Sequence, residues 1–274
     1  MTVTRRWLAM LAFLLWTAQC SAAEEVRITG NEARAPKIFN DQNGAAQGIL
    51  IEIMRYVQEQ TGIQFNYSLY PWARAYKSAL SGEAGIIGLS LTTERQAIFD
   101  YTSEPLFYDE LVLVVKAGRE FPFSTVNDLK GKTVGVCRGC SYGDVYEKAV
   151  KDRIFEPVQG DSPNAQLAML LLDRIDAVLI PVGRAGLEES LRGKQSGFDL
   201  LKQRDKFVIL PQPFARDPNY LAFAKTMEKR KLLMQVDRAL KKGHESGAIK
   251  RLVDRYIAER NTREHAVEGR SSGN

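Results

Sequence analysis

The stretch Gly85-Ile86-Ile87-Gly88-Leu89-Ser90-Leu91-Thr92-Thr93-Glu94-Arg95 decides how this chain folds. Gly85 to Gly88 is short, apolar and β-branched between glycines, and reads as a buried strand. The hydroxyl-rich run behind it reads as the start of a helix. Upstream, Val26 to Gly30 alternates as a strand, and Pro36 to Gly48 reads as a loop rich in Asn, Asp and Gly. Leu50, Ile53, Met54 and Val57 then recur at helical spacing, with Gly62 as the stop. Ile63 to Tyr67 is a second strand, and Ala73 to Ser81 a helix ended by Gly82. Strand, helix, strand, helix, strand at these lengths is the pattern of a mostly parallel α/β sheet.

The pattern then begins again. After the β-branched run Leu111 to Val115, Thr133 to Val136 is a strand and Tyr142 to Val150 a helix. Gln166 to Leu172 forms another helix after Asp161-Ser162-Pro163, where Pro163 suits the first helical position. Ile175 to Ile180 is a buried strand ended by Pro181, Phe207 to Leu210 continues the apolar pattern, and Asn219 to Ala224 is a further strand. Two helices finish the chain. One carries Leu232, Leu233, Val236 and Leu240; the other carries Ile249, Leu252, Val253, Tyr256 and Ile257 after the cap candidate Ser246. Residues 262–274 are polar and read as a disordered tail. One α/β unit interrupting another implies two chain crossings, and therefore a cleft with a hinge. Ligands in such folds collect beyond the carboxyl ends of strands and between domains.

The 274 residues carry 38 Lys+Arg against 33 Asp+Glu, a net +5 with no block of like charge, which disfavours nucleic acid as a partner. Arg5 and Arg6, the apolar stretch Trp7 to Ala18 and Cys20-Ser21-Ala22-Ala23 read as a secretory signal over residues 1–23; its removal would lower the net charge to +3. Cys137 and Cys140 then remain. In an oxidising compartment they favour a short disulfide loop, with a redox C-x-x-C as the alternative. His244 and His265 are too few and too remote to assemble a zinc site, and nothing calls for a cofactor.

Ser90, Thr92, Thr93 and Arg95 combine hydroxyls, helix-start amides and one planar guanidinium, which suits a carboxylate. The bland reading of Arg95 is a surface ion-pair partner. Trp72, in Tyr70-Pro71-Trp72-Ala73-Arg74, is either a core or rim aromatic or a flat apolar wall for a ligand.

The stretch from Gly88 through Thr92-Thr93-Glu94-Arg95-Gln96-Ala97-Ile98-Phe99-Asp100-Tyr101 to Leu106 resembles the signature of family 3 extracellular solute-binding proteins, the periplasmic receptors of polar amino-acid ABC transporters. The similarity extends to Gly48–Ile53, Asp128–Val136 and Arg174–Val178. It implies a two-lobed periplasmic-binding-protein fold of type II, α/β, each lobe a mixed, mostly parallel sheet flanked by helices, with two hinge crossings. Lobe 1 would comprise residues 24–115 and 211–261, and lobe 2 residues 116–210. Arg95 would clamp the ligand carboxylate, with Ser90 and the main chain from Gly88 completing the cradle. Gly139, Cys140 and Ser141 would close from the other lobe, and Asn31 would present a polar group. The implied function is capture of a small carboxylate-bearing solute, an amino acid or a related compound, by a monomer that delivers it to an ABC permease.

Three positions depart from the family pattern: Pro181 stands where an ammonium-pairing Asp is common, Gly85 where an Asp is usual, and Cys140 where Thr or Ser is frequent. The competing reading is a periplasmic dehydratase of prephenate or arogenate type, for which Glu52, Asp109, Glu110 or Asp144 could supply a general acid.

Overall fold

In a computed structural model, which describes residues 25–192 and 199–271, the chain builds two main sheets joined by two long strands, with a small three-stranded sheet besides. The first half contains β1 (Glu25–Asn31), β2 (Ala33–Arg34), β3 (Ile38–Asn40), β4 (Ala46–Gln47), α1 (Ile49–Thr61), β5 (Gln64–Tyr70), α2 (Trp72–Leu80), β6 (Gly85–Ser90), α3 (Thr93–Ile98), β7 (Phe99–Tyr101) and β8 (Phe107–Lys116). The second contains β9 (Thr133–Cys137), α4 (Asp144–Lys151), β10 (Glu156–Gly160), α5 (Pro163–Leu171), β11 (Ala177–Ile180), α6 (Gly183–Arg192), β12 (Phe207–Ile209), β13 (Ala215–Ala224), α7 (Arg230–Glu245) and α8 (Ala248–Ser271).

In the first lobe β1 lies parallel to both β5 and β6, and β13 runs antiparallel to β6. In the second, β9 lies parallel to β10 and β11, with β8 antiparallel to β11 and β12. The crossings are β8 and β13. They pair antiparallel over Phe107–Leu111 and Ala215–Asn219, and from Val112 onward β8 pairs within the second sheet. The change of partner therefore falls inside the strand, earlier than the sequence boundary after Val115. Each sheet has apolar side chains on both faces, as buried α/β sheets require. Ile49, Leu50, Ile53, Met54 and Val57 of α1 pack with Val236 and Leu240 of α7 on one face of the first sheet, while Ala79, Leu89 and Phe99 pack on the other.

Local signals place most element ends. Gly62 adopts a left-handed φ of 76° and its N–H donates to the Gln58 carbonyl, closing α1. Ser162 Oγ accepts from Ala165 N at 3.4 Å, with Pro163 at the first helical position of α5. Phe223 explains Gly85: a Cβ there would stand 2.4 Å from its ring, so the aromatic side chain fills the space a larger residue would need.

Two expectations are corrected. The loop from Pro36 to Gly48 contains β3 and β4, which with β2 form a small antiparallel sheet. The tail expected to be disordered from Thr262 is helical as far as Ser271. Polarity argues against burial but not against helix, and neither Gly nor Pro interrupts residues 248–268. The signal segment, residues 1–23, lies outside the described residues.

Gly48 ties α1 to the loop that carries Lys37. Its φ is 121°, and a Cβ would stand 2.4 Å from the Lys37 carbonyl oxygen. Gly48→Ala should therefore cost about 2 kcal/mol or more, a fall of about 4–8 °C in melting temperature. A thermal melt indistinguishable from the parent's would contradict this constraint.

Candidate functional site

The carboxyl ends of β1, β6 and β9 converge on a small cavity of about 40 Å³ between the lobes. Asn31, Arg34, Lys37, Trp72, Gly88 and Ser90 line it from the first lobe. Cys140, Ser141, Tyr142 and Pro181 line it from the second, and Asp217 enters from β13. A larger groove of about 660 Å³ lies outside the cleft, between α1 and α8. Part of its charged wall is already engaged: Arg55 pairs with Glu52, and Arg260 with Glu189 at 2.6 Å.

The lobes are in contact across the cavity. Trp72 Nε1 donates to the Gly139 carbonyl at 2.8 Å, so this indole meets the far lobe as well as stacking on Tyr76 at 5.9 Å. Thr93 donates through N and Oγ1 to Asp144 at 3.2 and 3.1 Å, joining the starts of α3 and α4. Ser90 Oγ lies 3.1 Å from the Ser141 carbonyl and 2.5 Å from Asp217 Oδ2. Each such bond adds only about 1 kcal/mol net, so these few contacts close the lobes weakly.

Of the residues singled out from sequence, Asn31, Trp72, Gly88, Ser90, Cys140 and Ser141 line the cavity. Asn31 spends its Oδ1 on Ala33 N at 2.9 Å. Gly88 has φ 77°, and a Cβ there would meet Leu50 Cδ1 at 2.9 Å. Ser141 Oγ is buried without a hydrogen-bond partner, an arrangement that costs free energy until something fills it. Cys140 is disulfide-bonded to Cys137 in the turn that Trp72 touches. That turn precedes the first residue of α4, so the pair does not occupy a helix's first turn as a redox C-x-x-C would.

Arg95 does not line the cavity. It is 8% exposed and lies directly behind Ser90, donating from Nη1 to the Ser90 carbonyl at 3.2 Å, with its guanidinium 5.3 Å from the Tyr76 ring centre and 5.8 Å from that of Trp72. It forms no ion pair with a described residue, so the surface-partner reading does not describe it. The helix-start amides expected to face a ligand are otherwise engaged: Thr93 N by Asp144, and Arg95 N by Thr92 Oγ1 at 3.2 Å.

Sequence reasoning did not single out Arg34, Lys37, Tyr142 or Asp217, and considered Asp109 only as an acid. Asp109 and Asp217 are register partners across β8 and β13, both buried. Like charges directly opposite destabilise a sheet, and Lys37 offsets one of them: its Nζ donates to Asp109 Oδ2 at 2.5 Å and to Asn219 Oδ1 at 3.1 Å. Asp109 Oδ1 also accepts from Val182 N at 2.6 Å, holding the chain just after Pro181. Asp217 has no such cation, only Ser90 Oγ and, at 3.2 Å, Asn219 Nδ2. Burial pushes its carboxyl up to about 6, against the opposing pull of Ser90, Lys37 and Arg95 and with a further push from Asp109; Tyr101 and Tyr220 also face it. The Ser90 hydroxyl has one proton and two acceptors. Both contacts form together when protonated Asp217 donates to Ser90 Oγ and Ser90 donates to the Ser141 carbonyl.

The other acids considered for catalysis are placed elsewhere. Glu52 pairs with Arg55 at the outer groove, and Asp144 bridges to Thr93. Among the described residues, no three His, Cys, Asp or Glu gather as metal ligands would.

Residues 26–259 match the family model of bacterial extracellular solute-binding proteins, family 3. The chain is 24% identical over 225 residues to the L-cystine-binding protein TcyJ of Escherichia coli (strain K12), covering 81% of this chain and 78% of that protein. It is 25% identical over 222 residues to the probable amino-acid-binding protein YxeM of Bacillus subtilis (strain 168), covering 80% and 78%. Among solved structures, an ancestral arginine-binding protein bound to arginine matches with TM-score 0.66 at 23% identity, over 85% of this chain and 97% of that one. A histidine kinase sensor domain with similarity to periplasmic binding proteins matches with TM-score 0.69 at 18% identity, over 85% and 96%.

The raised Asp217 carboxyl has a direct consequence for stability. A carboxyl that holds its proton more tightly folded than unfolded favours the folded state below pH ~4, and that contribution is lost as pH rises through about 6. Between pH ~4.5 and ~7.5 the loss should be on the order of 2 kcal/mol. Asp217→Asn keeps the shape without the charge, so melts of ligand-free protein should show the variant gaining on the parent as pH rises across that window. A constant difference between the two would contradict the assignment.

Proposed function

This chain belongs to the bacterial extracellular solute-binding proteins of family 3, and we propose that it captures an amino acid between its lobes and hands it to an ABC permease. The observation that carries this reading is the interlobe cavity itself, walled by both lobes and holding the partnerless Ser141 hydroxyl. In this reading the ligand's α-carboxylate takes the place next to Ser90 and draws the Arg95 guanidinium, which lies directly behind that residue. Asp217 receives the α-ammonium, replacing the carboxylate missing at Pro181. The ligand's cation then supplies the charge that Asp217 lacks, and Ser90 is freed to bond the carboxylate. Trp72 supplies an apolar wall and, through Gly139, senses closure. Cys137–Cys140 holds the closing turn in shape.

Closure is a population shift, driven by how much better the ligand binds the closed form than the open one. The weak contacts between the lobes leave room for that shift, because ligand contacts rather than protein contacts then supply most of the closing free energy. The chain works in the periplasm as a monomer after loss of its leader, and the closed form is what the permease recognises. The dehydratase reading gains no support: the proteins matched above are described as binding or sensor proteins, and Glu52 and Asp144 are committed elsewhere.

A thermal-shift screen of the purified protein against the common amino acids tests this directly, since a ligand that prefers the folded state raises the melting temperature. At least one should do so, and no shift with any would contradict the reading. For that ligand, Arg95→Ala should weaken binding by about 2–5 kcal/mol, measured by calorimetry, while the unliganded fold survives; an unchanged dissociation constant would remove Arg95 from the site.

A further inference from the structure

Arg34 ends β2 and lines the cavity at 9% exposure, yet its side chain makes neither a hydrogen bond nor an ion pair with any described residue. The ionisable groups nearest it are Tyr142, a phenol that burial keeps neutral, and Asp161, which is bonded to Arg138 at 2.7 Å on the surface. A guanidinium left with this little solvent contact and no protein partner is stabilised by an anion that enters the same space.

Pairing off the charges around the cavity gives a defined remainder. Lys37 and Asp109 neutralise each other. Arg34 and Arg95 remain as cations without a carboxylate, and Asp217 remains as a carboxylate without a cation. The complement of two guanidiniums and one carboxylate is a molecule with two anionic groups and one ammonium.

We infer that the ligand is an acidic α-amino acid, whose distal carboxylate is held by Arg34. The inference rests on the proposed function, which gives the α-carboxylate to Arg95 and the α-ammonium to Asp217, and it adds the identity of the side chain. Arg34 offers a planar fork suited to two parallel hydrogen bonds with a carboxylate. An amide in the same position can donate to nothing on Arg34 and accepts only weakly by comparison. A basic side chain would bring a second cation against it.

Calorimetry of the whole purified chain with L-aspartate, L-glutamate, L-asparagine, L-glutamine and L-arginine tests this. One of the two acids should bind at least about thirtyfold tighter than its amide, and L-arginine should bind more weakly than either acid. Arg34→Gln should bring acid and amide to within about threefold of one another, and Arg34→Lys should restore part of the preference; melts of both variants establish that they fold. Tight binding of a neutral or basic amino acid in place of the acids overturns the inference and leaves the solute-binding reading intact. A loss on Arg34→Gln that is equal for acid and amide also overturns it. Binding of no amino acid in this panel or in the wider screen overturns both readings.

Discussion

Asp109 and Asp217 stand opposite each other on the two strands that join the lobes, both buried, and Lys37 pairs with only one of them. Two carboxylates and one lysine at the crossing make an incomplete set of charges. Repulsion between close carboxylates in a poorly hydrated place is unfavourable, so the second carboxylate holds its proton more tightly than usual and gains from any further cation. The site follows from that requirement. The Asp217 carboxylate reaches Ser90, and through Ser90 the second lobe at Ser141, so its charge state bears on how the lobes meet.

Below pH ~6 a proton on Asp217 relieves this crossing, and in the proposed reading an amino acid relieves it with an ammonium. One position thus links lobe closure, ligand charge and pH. The same balance accounts for Pro181 standing where the family resemblance implies an ammonium-pairing Asp. In the proposed reading the carboxylate that pairs the ammonium comes from the hinge strand β13 instead of from the end of β11, while Asp109 holds the chain beyond Pro181 by accepting from Val182 N. Arg34 extends the argument from charge balance to the ligand's side chain.

Much of the fold was legible because it is written locally. The helical spacing of Leu50, Ile53, Met54 and Val57, the glycine stop at Gly62 and the Ser162-Pro163 start are all settled within a few residues. What sequence reasoning missed is non-local or very short. β10 contains Pro157 and shows little alternation, so only its pairing with β9 identifies it; β2, β3 and β4 are too short to carry a period. The site divides in the same way. Ser90 and Trp72 sit in recognisable local contexts where a strand hands over to a helix, whereas Asp217 acquires its meaning from cross-strand register with Asp109, and Arg34 from β2, which is too short to carry a period. Arg95 was visible as a residue, but its position behind Ser90, and not on the cavity wall, depends on packing against Tyr76 that no spacing rule gives.

Proton release on binding tests the central claim most directly. Near pH ~6, where the Asp217 carboxyl is about half protonated in the unliganded protein, titration with L-glutamate or L-aspartate in two buffers of different ionisation heat reports protons exchanged per ligand bound. If an ammonium replaces the proton on Asp217, binding should release about half a proton, and Asp217→Asn should release essentially none. A heat of binding that is the same in both buffers for the parent protein, or a release that survives in Asp217→Asn, would contradict the account.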